Sequence, residues 1–377
     1  MKNIILGPAH PFRGGIANFG ESLCIAFNKK SIDSSIITFT MQYPGFLFPG
    51  TTQFDNGKAP ENIKIDRLIN SVNPFSWIST ANKIRNLKPD YLIINYWMPF
   101  MAPALGTIAR RVQKGTDIKI IAITHNVIPH EKRLGDKQLT NYFVKSCDGY
   151  VTLAKSVLDD LKVFTSNPNS VFIPHPVYDI FGEKVSKYEA KKALCLDHKY
   201  KYILFFGIVR KYKGLDLLLE AFGQGNFKIE GIKLIVAGEF YEDESNYDTI
   251  IKKYALEEQI IFTKSFVASE NVKNYFCASD LIVQPYRTAT QSGVTQIAYH
   301  FERPMLVTNV GGLAEIVTHN KVGYVCEPNP EAIAFSINDF FTNNREEEFS
   351  KNTSSEKHRF SWEAMVDGIT ELYKKVY

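Results

Sequence analysis

Two turns in the C-terminal half of the chain combine small residues with groups that can bind an anion. In residues 203–222, Arg210 and Lys213 stand between an apolar run that ends at Gly207 and another that begins after Gly214. If the first run is a strand and the second a helix, both cations lie at a helix N-terminus, where unpaired amides and the helix dipole favour negative charge. The pattern predicts a phosphate site, and the alternative is a solvated basic turn.

The second turn lies in residues 278–317. LIVQPY predicts a buried strand and VTQIAYHF a helix, with the small residues of RTATQSG between them, and after a further strand, PMLVTNV, a glycine pair precedes another helix. Within residues 278–317, RTATQSG and the pair Gly311-Gly312 are thus two turns before helices, and two such turns close together predict a ligand with a diphosphate group. The candidate contacts on this segment are Gln291, Ser292, Gly293, Val294, Gln296 and Glu315. For Glu315, a place in the first turn of a helix is the alternative role.

The N-terminal half carries weaker signals. Gly14 and Gly15 follow the first apolar run, where glycine lets the backbone approach a ligand closely, but the sequence is not GxGxxG and predicts no dinucleotide site. His125 ends another apolar run, and α/β sheets bind ligands at the carboxyl ends of parallel strands. Its near-neutral pKa suits hydrogen bonding or proton transfer, with a structural histidine as the alternative.

Three further residues are candidates for contacts with a second substrate: Arg13, His130 and Trp97. Trp97 belongs to an aromatic loop, residues 96–100, whose rings suit lipid or sugar and equally suit core packing.

The composition, 45% hydrophobic and 22% charged, is that of an ordinary soluble protein. Residues 1–178 carry 20 Lys and Arg against 12 Asp and Glu, a net charge of +8, whereas residues 179–377 carry 24 against 28, a net charge of −4. The basic half suits an anionic partner such as a lipid diphosphate or a membrane surface, with scattered surface charge as the alternative. No basic stripe with interleaved aromatic residues predicts a nucleic-acid partner.

Other features predict a protein of the cytoplasm. The five cysteines are far apart and include no CxxC pair, which favours reduced thiols and argues against a zinc site. The first ten residues do not form a signal peptide. Residues 91–109 are uncharged, but Pro99 and Pro103 interrupt them, and we predict strand, loop and helix rather than a membrane span.

Short runs rich in Ile and Val alternate with helix-like stretches from end to end, which is typical of parallel sheets with helices on both faces. The rhythm breaks near Pro174, Pro176 and Gly182. We therefore predict an α/β protein with two Rossmann-like domains, residues 1–178 and 179–360. The polar stretch 341–358 is predicted to lie on the surface, and a final helix, 361–377, to begin with Ser361 as its N-cap.

Residues 203–317 resemble the donor-nucleotide half of GT-B glycosyltransferases of family 4 (glycosyl transferases group 1), and the similarity extends over nearly the whole chain. The resemblance implies two Rossmann-like domains facing each other across a cleft, with the final helix packing back on the N-terminal domain. It implies that the C-terminal domain binds a UDP- or GDP-sugar and the N-terminal domain a glycan or polyprenyl-diphosphate-linked acceptor. The implied activity is retaining hexosyl transfer in surface polysaccharide or glycoconjugate biosynthesis, without a metal or cofactor, in the cytoplasm or at the inner face of the membrane.

The resemblance also implies residue roles. Arg210 and Lys213 would neutralise the donor diphosphate, His125 would lie near the donor sugar, and Gly14 and Gly15 would form the family's glycine loop. Arg210 stands two positions after the usual arginine, whose place Ile208 occupies.

One departure concerns two glutamates, eight positions apart, that many family members carry. Thr288 to Gln291 stand near the first place and Gln296 and Ile297 near the second, so that amides replace carboxylates and no negative charge is available. Two alternatives therefore stay open: a nucleotide-sugar 2-epimerase that uses no acceptor, and a non-catalytic subunit that binds nucleotide sugars.

Overall fold

The structure is a computed structural model that describes residues 1–45, 52–55, 57, 59–129, 133–177, 180–225, 227, 231–289 and 292–377. Its strands are β1 (Lys2–Leu6), β2 (Asp33–Met41), β3 (Ile65–Asn70), β4 (Tyr91–Tyr96), β5 (Lys119–Thr124), β6 (Gly149–Thr152), β7 (Ser170–Phe172), β8 (Lys201–Phe206), β9 (Ile232–Ala237), β10 (Ile260–Thr263), β11 (Leu281–Gln284), β12 (Met305–Thr308) and β13 (Gly323–Cys326). Its helices are α1 (Gly15–Lys29), α2 (Pro74–Leu87), α3 (Ala102–Gln113), α4 (Asp136–Val144), α5 (Lys155–Leu161), α6 (Lys187–Ala193), α7 (Leu215–Gln224), α8 (Ser245–Tyr254), α9 (Ser269–Ala278), α10 (Gly293–His300), α11 (Leu313–Ile316), α12 (Pro330–Thr342), α13 (Glu346–Glu356) and α14 (Trp362–Val376).

The chain divides into two compact units. The N-terminal unit comprises Met1–Pro176 and Ser361–Tyr377, and the C-terminal unit comprises Val177–Phe360. The boundary that we predicted from the sequence, after residue 178, lies close to this division.

The N-terminal unit is built on a parallel sheet with strand order β3-β2-β1-β4-β5-β6-β7. Its central strands are buried on both faces, as a parallel sheet covered by helices requires. The strand order reverses between β1 and β4, and α/β sheets bind ligands at such a switch point. A ligand site is therefore expected in the loops after these two strands.

The C-terminal unit repeats this architecture with strand order β10-β9-β8-β11-β12-β13. Its strands are again parallel, and the switch point lies between β8 and β11. The apolar run that ends at Gly207, LIVQPY and PMLVTNV form β8, β11 and β12, as we predicted from the sequence. The prediction of an α/β fold with two Rossmann-like sheets is confirmed.

The last helix, α14, belongs to the N-terminal unit. Ser361 caps it, because its side chain accepts a hydrogen bond from the Ala364 amide at 3.1 Å. Tyr373 stacks on the buried ring of Tyr91, with 4.6 Å between the ring centroids. The expected N-cap is present, and α14 contacts β5, β6 and β7 of the N-terminal sheet.

Three segments test the finer sequence predictions. Residues 91–109 form β4, a 3-10 turn at Pro99–Met101 and the start of α3, as predicted. Within the described ranges, none of the helices combines the length and the apolar character that crossing a bilayer requires. The polar stretch 341–358 is not purely a surface segment, because most of it forms α13, which buries Phe349 and Thr353.

Candidate functional site

In the N-terminal unit, the glycine turn follows β1 and leads directly into α1. Gly14 is the N-cap of this helix, with φ 118° and ψ 169°, a conformation that disfavours a side chain even though no atom would meet an added Cβ within 4 Å. Gly15 begins the helix and is exposed. Arg13, half-buried, donates its backbone N–H to the carbonyl of Gln53 at 3.1 Å. The turn thus stands at the switch point, where we expected a ligand contact.

His125 lies directly after β5 and is buried, with only 5% of its surface exposed. Its Nε2 atom lies 2.8 Å from Oδ1 of Asn95, the buried asparagine in β4. Because a carboxamide oxygen only accepts, Nε2 carries the hydrogen, and in the neutral ring Nδ1 is an acceptor. Burial and, to a smaller extent, the nearby His175 lower the pKa of His125 to about 3, so the ring is neutral at pH 7.

His175, which the sequence did not suggest, is a second buried histidine in this unit. The ring of Phe19 contacts both imidazoles, with centroid distances of 5.0 Å to His125 and 5.1 Å to His175. Nδ1 of His175 lies 2.7 Å from the carbonyl oxygen of Pro176. Burial lowers the pKa of His175 to about 4, so the pair adds no charge at neutral pH.

The aromatic loop after β4 packs mainly against its own unit. The half-buried Trp97 donates its indole N–H to the hydroxyl of Tyr43 at 2.8 Å and meets Phe39 edge to face. Tyr43 also stacks on Phe100, with 6.1 Å between the ring centroids. These contacts favour the packing role of Trp97. Part of its side chain is exposed, and a contact with the acceptor stays a prediction. His130 lies outside the described residues.

In the C-terminal unit, the basic turn begins after β8 as predicted. Lys213 ends a short 3-10 helix, Lys211–Lys213, and Gly214 is the N-cap of α7. The half-buried Lys213 directs its Nζ atom toward Gly207, where an added Cβ would lie only 3.2 Å from it. Burial lowers the pKa of Lys213, and the positive charge of Arg210 acts in the same direction.

The turn after β11 lies beside the basic turn. Arg287 donates two hydrogen bonds to the carboxylate of Asp216 in α7, at 2.6 and 2.7 Å, and a third to the carbonyl of Lys211 at 3.2 Å. The ring centroid of Tyr286 lies 5.4 Å from Nζ of Lys213. Sequence inspection did not single out Arg287 or Asp216, because only the fold brings these positions together.

The start of α10 reaches the same place. Ser292 caps the helix by accepting the Val294 amide at 3.2 Å, and its hydroxyl lies 3.5 Å from that of Tyr286. Gly293 is the first helical residue, and Val294 lies next to Gly207, with 3.9 Å between Cγ2 and an added Cβ. The structure therefore brings the helix start and Lys213 together. Gln291 lies outside the described residues.

Gln296 is wholly buried on α10, and neither polar atom of its carboxamide has a hydrogen-bond partner in the part of the chain that the structure describes. Burying a carboxamide without hydrogen-bond partners costs free energy. Such a group is expected where a ligand supplies the missing hydrogen bonds. Glu315 is half-buried in α11, a helix of only four residues, and stands in its first turn.

No three His, Cys, Asp or Glu side chains converge among the described residues in a way that could hold a metal ion. The expectation that no metal takes part stays a prediction.

Residues 186–356 match the family described as glycosyl transferases group 1. The matched range comprises 171 of the 377 residues, so the similarity to this family is carried by the C-terminal half of the chain. The matched range lies within the C-terminal unit and includes Lys213, Arg287, Ser292 and Gln296.

Several relatives of this chain are named as glycosyltransferases. The chain is 27% identical over 188 residues to an uncharacterized glycosyltransferase of Methanocaldococcus jannaschii, a match that spans 49% of this chain and only 51% of that protein. It is 21% identical to the O-antigen chain mannosyltransferase C of Escherichia coli over 97% of this chain and 94% of the other. Among solved structures, Anabaena HepE in complex with UDP superposes with a TM-score of 0.77 at 15% identity, over the full length of both chains. The two Rossmann-like sheets are those of the GT-B fold.

Proposed function

We propose that this protein is a retaining, family 4 glycosyltransferase that moves a hexosyl group from a UDP- or GDP-sugar to a glycan or polyprenyl-diphosphate-linked acceptor. The products would belong to surface polysaccharide or glycoconjugate biosynthesis. The observation that carries the proposal is the half-buried ammonium of Lys213 beside Gly207 and the start of α10, inside a glycosyl transferases group 1 domain. The O-antigen mannosyltransferase and the UDP complex of HepE support the substrate classes.

In the proposed step, the bond between the anomeric carbon of the sugar and the diphosphate oxygen breaks, and the electron pair leaves with the nucleoside diphosphate. The acceptor hydroxyl oxygen forms the new bond on the same face of the sugar, and its proton passes to the departing phosphate. Lys213, Arg210 and the amides at the start of α10, of the N-cap Ser292 and of Gly293, stabilise the charge that develops on that phosphate.

His125 has a different role in this proposal. A ring with a pKa of about 3 is neutral throughout the physiological range and is a poor general acid. The hydrogen bond with Asn95 holds the ring in one orientation. We propose that its acceptor nitrogen, Nδ1, receives a hydrogen bond from a donor-sugar hydroxyl and so orients the anomeric carbon.

Gln296 and Glu315 are proposed to contact the nucleoside part of the donor. The carboxamide of Gln296 can both donate and accept, which suits ribose hydroxyls in place of the carboxylate that many family members use. Gly14 and Gly15 would let the backbone approach the donor at the N-terminal switch point, while Arg13, His130 and Trp97 would contact the acceptor.

The proposal is tested by incubating labelled UDP-glucose, UDP-galactose and GDP-mannose with the protein, with and without lipid-linked glycan acceptors. We expect labelled product only in the presence of an acceptor, with unchanged yield in EDTA and retained anomeric configuration by NMR. Conversion of UDP-sugar to its 2-epimer without any acceptor would instead identify an epimerase. Binding of nucleotides with no turnover of any donor would identify a non-catalytic subunit.

A further inference from the structure

The turn that carries Lys213 is fixed to the neighbouring turn across the switch point of the C-terminal sheet. The basic turn follows β8 and the second turn follows β11, and these two strands pair directly although two other strands separate them along the chain. Arg287 stands in the second turn and contacts the first through both its backbone and its side chain. Arg287, which lies in the turn after β11, therefore helps to determine where the basic turn lies.

Arg287 makes its contacts at three points. Its backbone N–H donates to the carbonyl of Tyr212 at 2.7 Å, and its Nη1 atom donates to the carbonyl of Lys211 at 3.2 Å. The guanidinium also forms a two-pronged pair with Asp216, with distances of 2.6 and 2.7 Å, in the first turn of α7. Such paired, charge-assisted bonds fix orientation as well as distance.

The two turns also touch directly. Gly214 has a positive φ of 67°, and an added Cβ would lie 2.0 Å from the carbonyl oxygen of Pro285. The ring of Tyr286 lies 5.4 Å from Nζ of Lys213. Residues 285–287 thus contact the backbone on both sides of Lys213 and the far end of its side chain.

Two other roles for Arg287 are less consistent with this geometry. As a direct phosphate ligand it would have to rely on its remaining donors, because three of its five N–H groups already bond to Asp216 and to the Lys211 carbonyl. As an ordinary ion pair it would need only the carboxylate of Asp216 as its partner. Neither role explains why two of its partners are backbone carbonyls of the turn that ends at Lys213.

We propose that Arg287 is a positioning residue that, with Asp216, holds the basic turn so that the ammonium of Lys213 stays beside Gly207 and the start of α10. The identity of the ligand at that place rests on the proposed function. The positioning of Lys213 itself does not.

Calorimetric binding of UDP, with GDP and ADP in parallel, tests the effect on the ligand. We expect Arg287→Ala to raise Kd for the preferred nucleoside diphosphate about tenfold, because the cation moves away from the phosphates. In a Lys213→Ala background the same change should alter Kd by less than about twofold, since the residue acts through Lys213. Effects that multiply in the double variant would overturn the proposal.

Two variants serve as controls. Arg287→Lys keeps the charge but cannot make a two-pronged pair, and should recover only part of the affinity. Arg345→Ala removes an arginine of the same unit that pairs with Glu348 at 3.0 Å, and should leave Kd unchanged. If Arg287→Ala lowers the melting temperature but not the affinity, Arg287 is only a structural ion pair and the proposal fails.

A titration of Lys213 tests the positioning role even if the wild-type protein binds none of the three nucleotides. The absence of nucleotide binding would refute the proposed function but not the positioning role. After reductive ¹³C-methylation, the NMR signal of Lys213 is assigned by its loss in Lys213→Arg. Burial lowers the pKa of Lys213 in the wild-type protein. We expect Arg287→Ala to move that pKa back toward the value of an exposed lysine, about 10.4. An unchanged titration in this variant would overturn the positioning role.

Discussion

The two sheets present different chemistry at equivalent edges. Beside the β1/β4 switch point of the N-terminal unit, His125 follows the neighbouring strand β5 and is neutral, buried and held by Asn95 of β4. At the β8/β11 switch point of the C-terminal unit, the polar groups are cations on turns, with Lys213 fixed beside Gly207. The first arrangement suits orientation of a neutral group such as a sugar, and the second suits an anion.

Net charge does not report this difference. The cations that suit a diphosphate lie in the half with a net charge of −4, and the neutral histidine lies in the half with a net charge of +8. Chemistry at each edge depends instead on which few side chains the switch point brings together and how far they are removed from water. Single substitutions at either edge can therefore test whether the N-terminal edge orients the sugar and the C-terminal edge binds the diphosphate.

The largest effect is expected from Lys213→Ala. Removing the ammonium from the diphosphate should cost about 1.5–3 kcal/mol, the size of a hydrogen bond to a charged group, in donor binding or in transfer. Calorimetry with the nucleotide sugar and an initial-rate assay measure the two quantities. Lys213→Arg should recover part of the loss.

The neighbouring Lys211 supplies the matched control. Its side chain is exposed, and its backbone rather than its ammonium anchors the turn through Glu242 and Arg287. Lys211→Ala should leave donor affinity and turnover near the wild-type values. Equal losses in the two variants would mean that general positive charge, and not the position of Lys213, attracts the donor.

His125→Ala tests the other edge. Misplacing a reacting centre by about 1 Å can lower a rate about a hundredfold, and we expect a loss of that order in turnover. Nucleotide affinity should stay nearly unchanged, because the nucleotide is proposed to bind the C-terminal unit. The experiment compares the turnover number with the Kd for the nucleoside diphosphate.

The fold of the His125 variant can be checked selectively. All three tryptophans of the chain, Trp77, Trp97 and Trp362, belong to the N-terminal unit, so their fluorescence reports on this unit alone. A variant with native fluorescence and wild-type transfer would rule out the catalytic role and leave His125 as a structural residue.

The fold was largely predictable from the sequence, whereas the details of the site were only partly so. Apolar runs predicted most strands because a buried parallel strand is apolar on both faces. The edge strand β3 was not predicted, because its sequence IDRLIN mixes charge with apolar residues. The helix α13 was also not predicted, since its few buried residues are spread through a polar sequence.

The same limit applies to the site. Lys213 and Ser292 stand beside helix starts that local sequence patterns mark. Arg287 pairs with Asp216 across 71 positions of sequence, and His175 meets Phe19 only through the fold, so no local pattern reveals them. Local chemistry was therefore predictable, and the contacts that hold it in place were not.

A smaller effect is expected on stability in acid. Burial lowers the pKa of His125 to about 3 and that of His175 to about 4, below the ordinary value of 6.5. As pH falls below 6.5 the unfolded chain takes up protons that the folded unit cannot, so stability is fully present above that value and declines below it. The decline should approach about 1.4 kcal/mol per pH unit for each histidine. Urea unfolding followed by tryptophan fluorescence between pH 7 and about 5 measures it.

Carboxylates also titrate in this range, so the comparison with His125→Gln isolates the histidine. The variant should be less stable at pH 7 but should lose less stability per pH unit than the wild-type protein. Parallel pH dependences would show that His125 is not kept neutral by the folded unit, which contradicts the neutral edge described above.

The smallest effect concerns the membrane. The helices α2 and α3 pack together, and their C-terminal ends carry the exposed side chains of Lys83, Lys88, Arg111 and Lys114. Each Lys or Arg near an anionic bilayer contributes about 1 kcal/mol of attraction. If the basic unit contacts the membrane through these ends, Lys83→Glu with Arg111→Glu should weaken sedimentation with anionic vesicles at low salt.

Salt separates this attraction from adsorption of apolar loops. Screening lengths fall below about 10 Å above 0.1 M salt, so electrostatic binding should weaken steeply there, whereas apolar contacts should persist. Lys199→Glu with Lys252→Glu makes the same change in charge in the C-terminal unit and should have little effect. Because cations at helix C-terminal ends also offset the helix dipole, their clustering has a purely local explanation. Equal binding to neutral and anionic vesicles, or none to either at low salt, would contradict a membrane contact of the basic unit. The interaction of these cations with the helix dipoles would then be sufficient to explain their clustering.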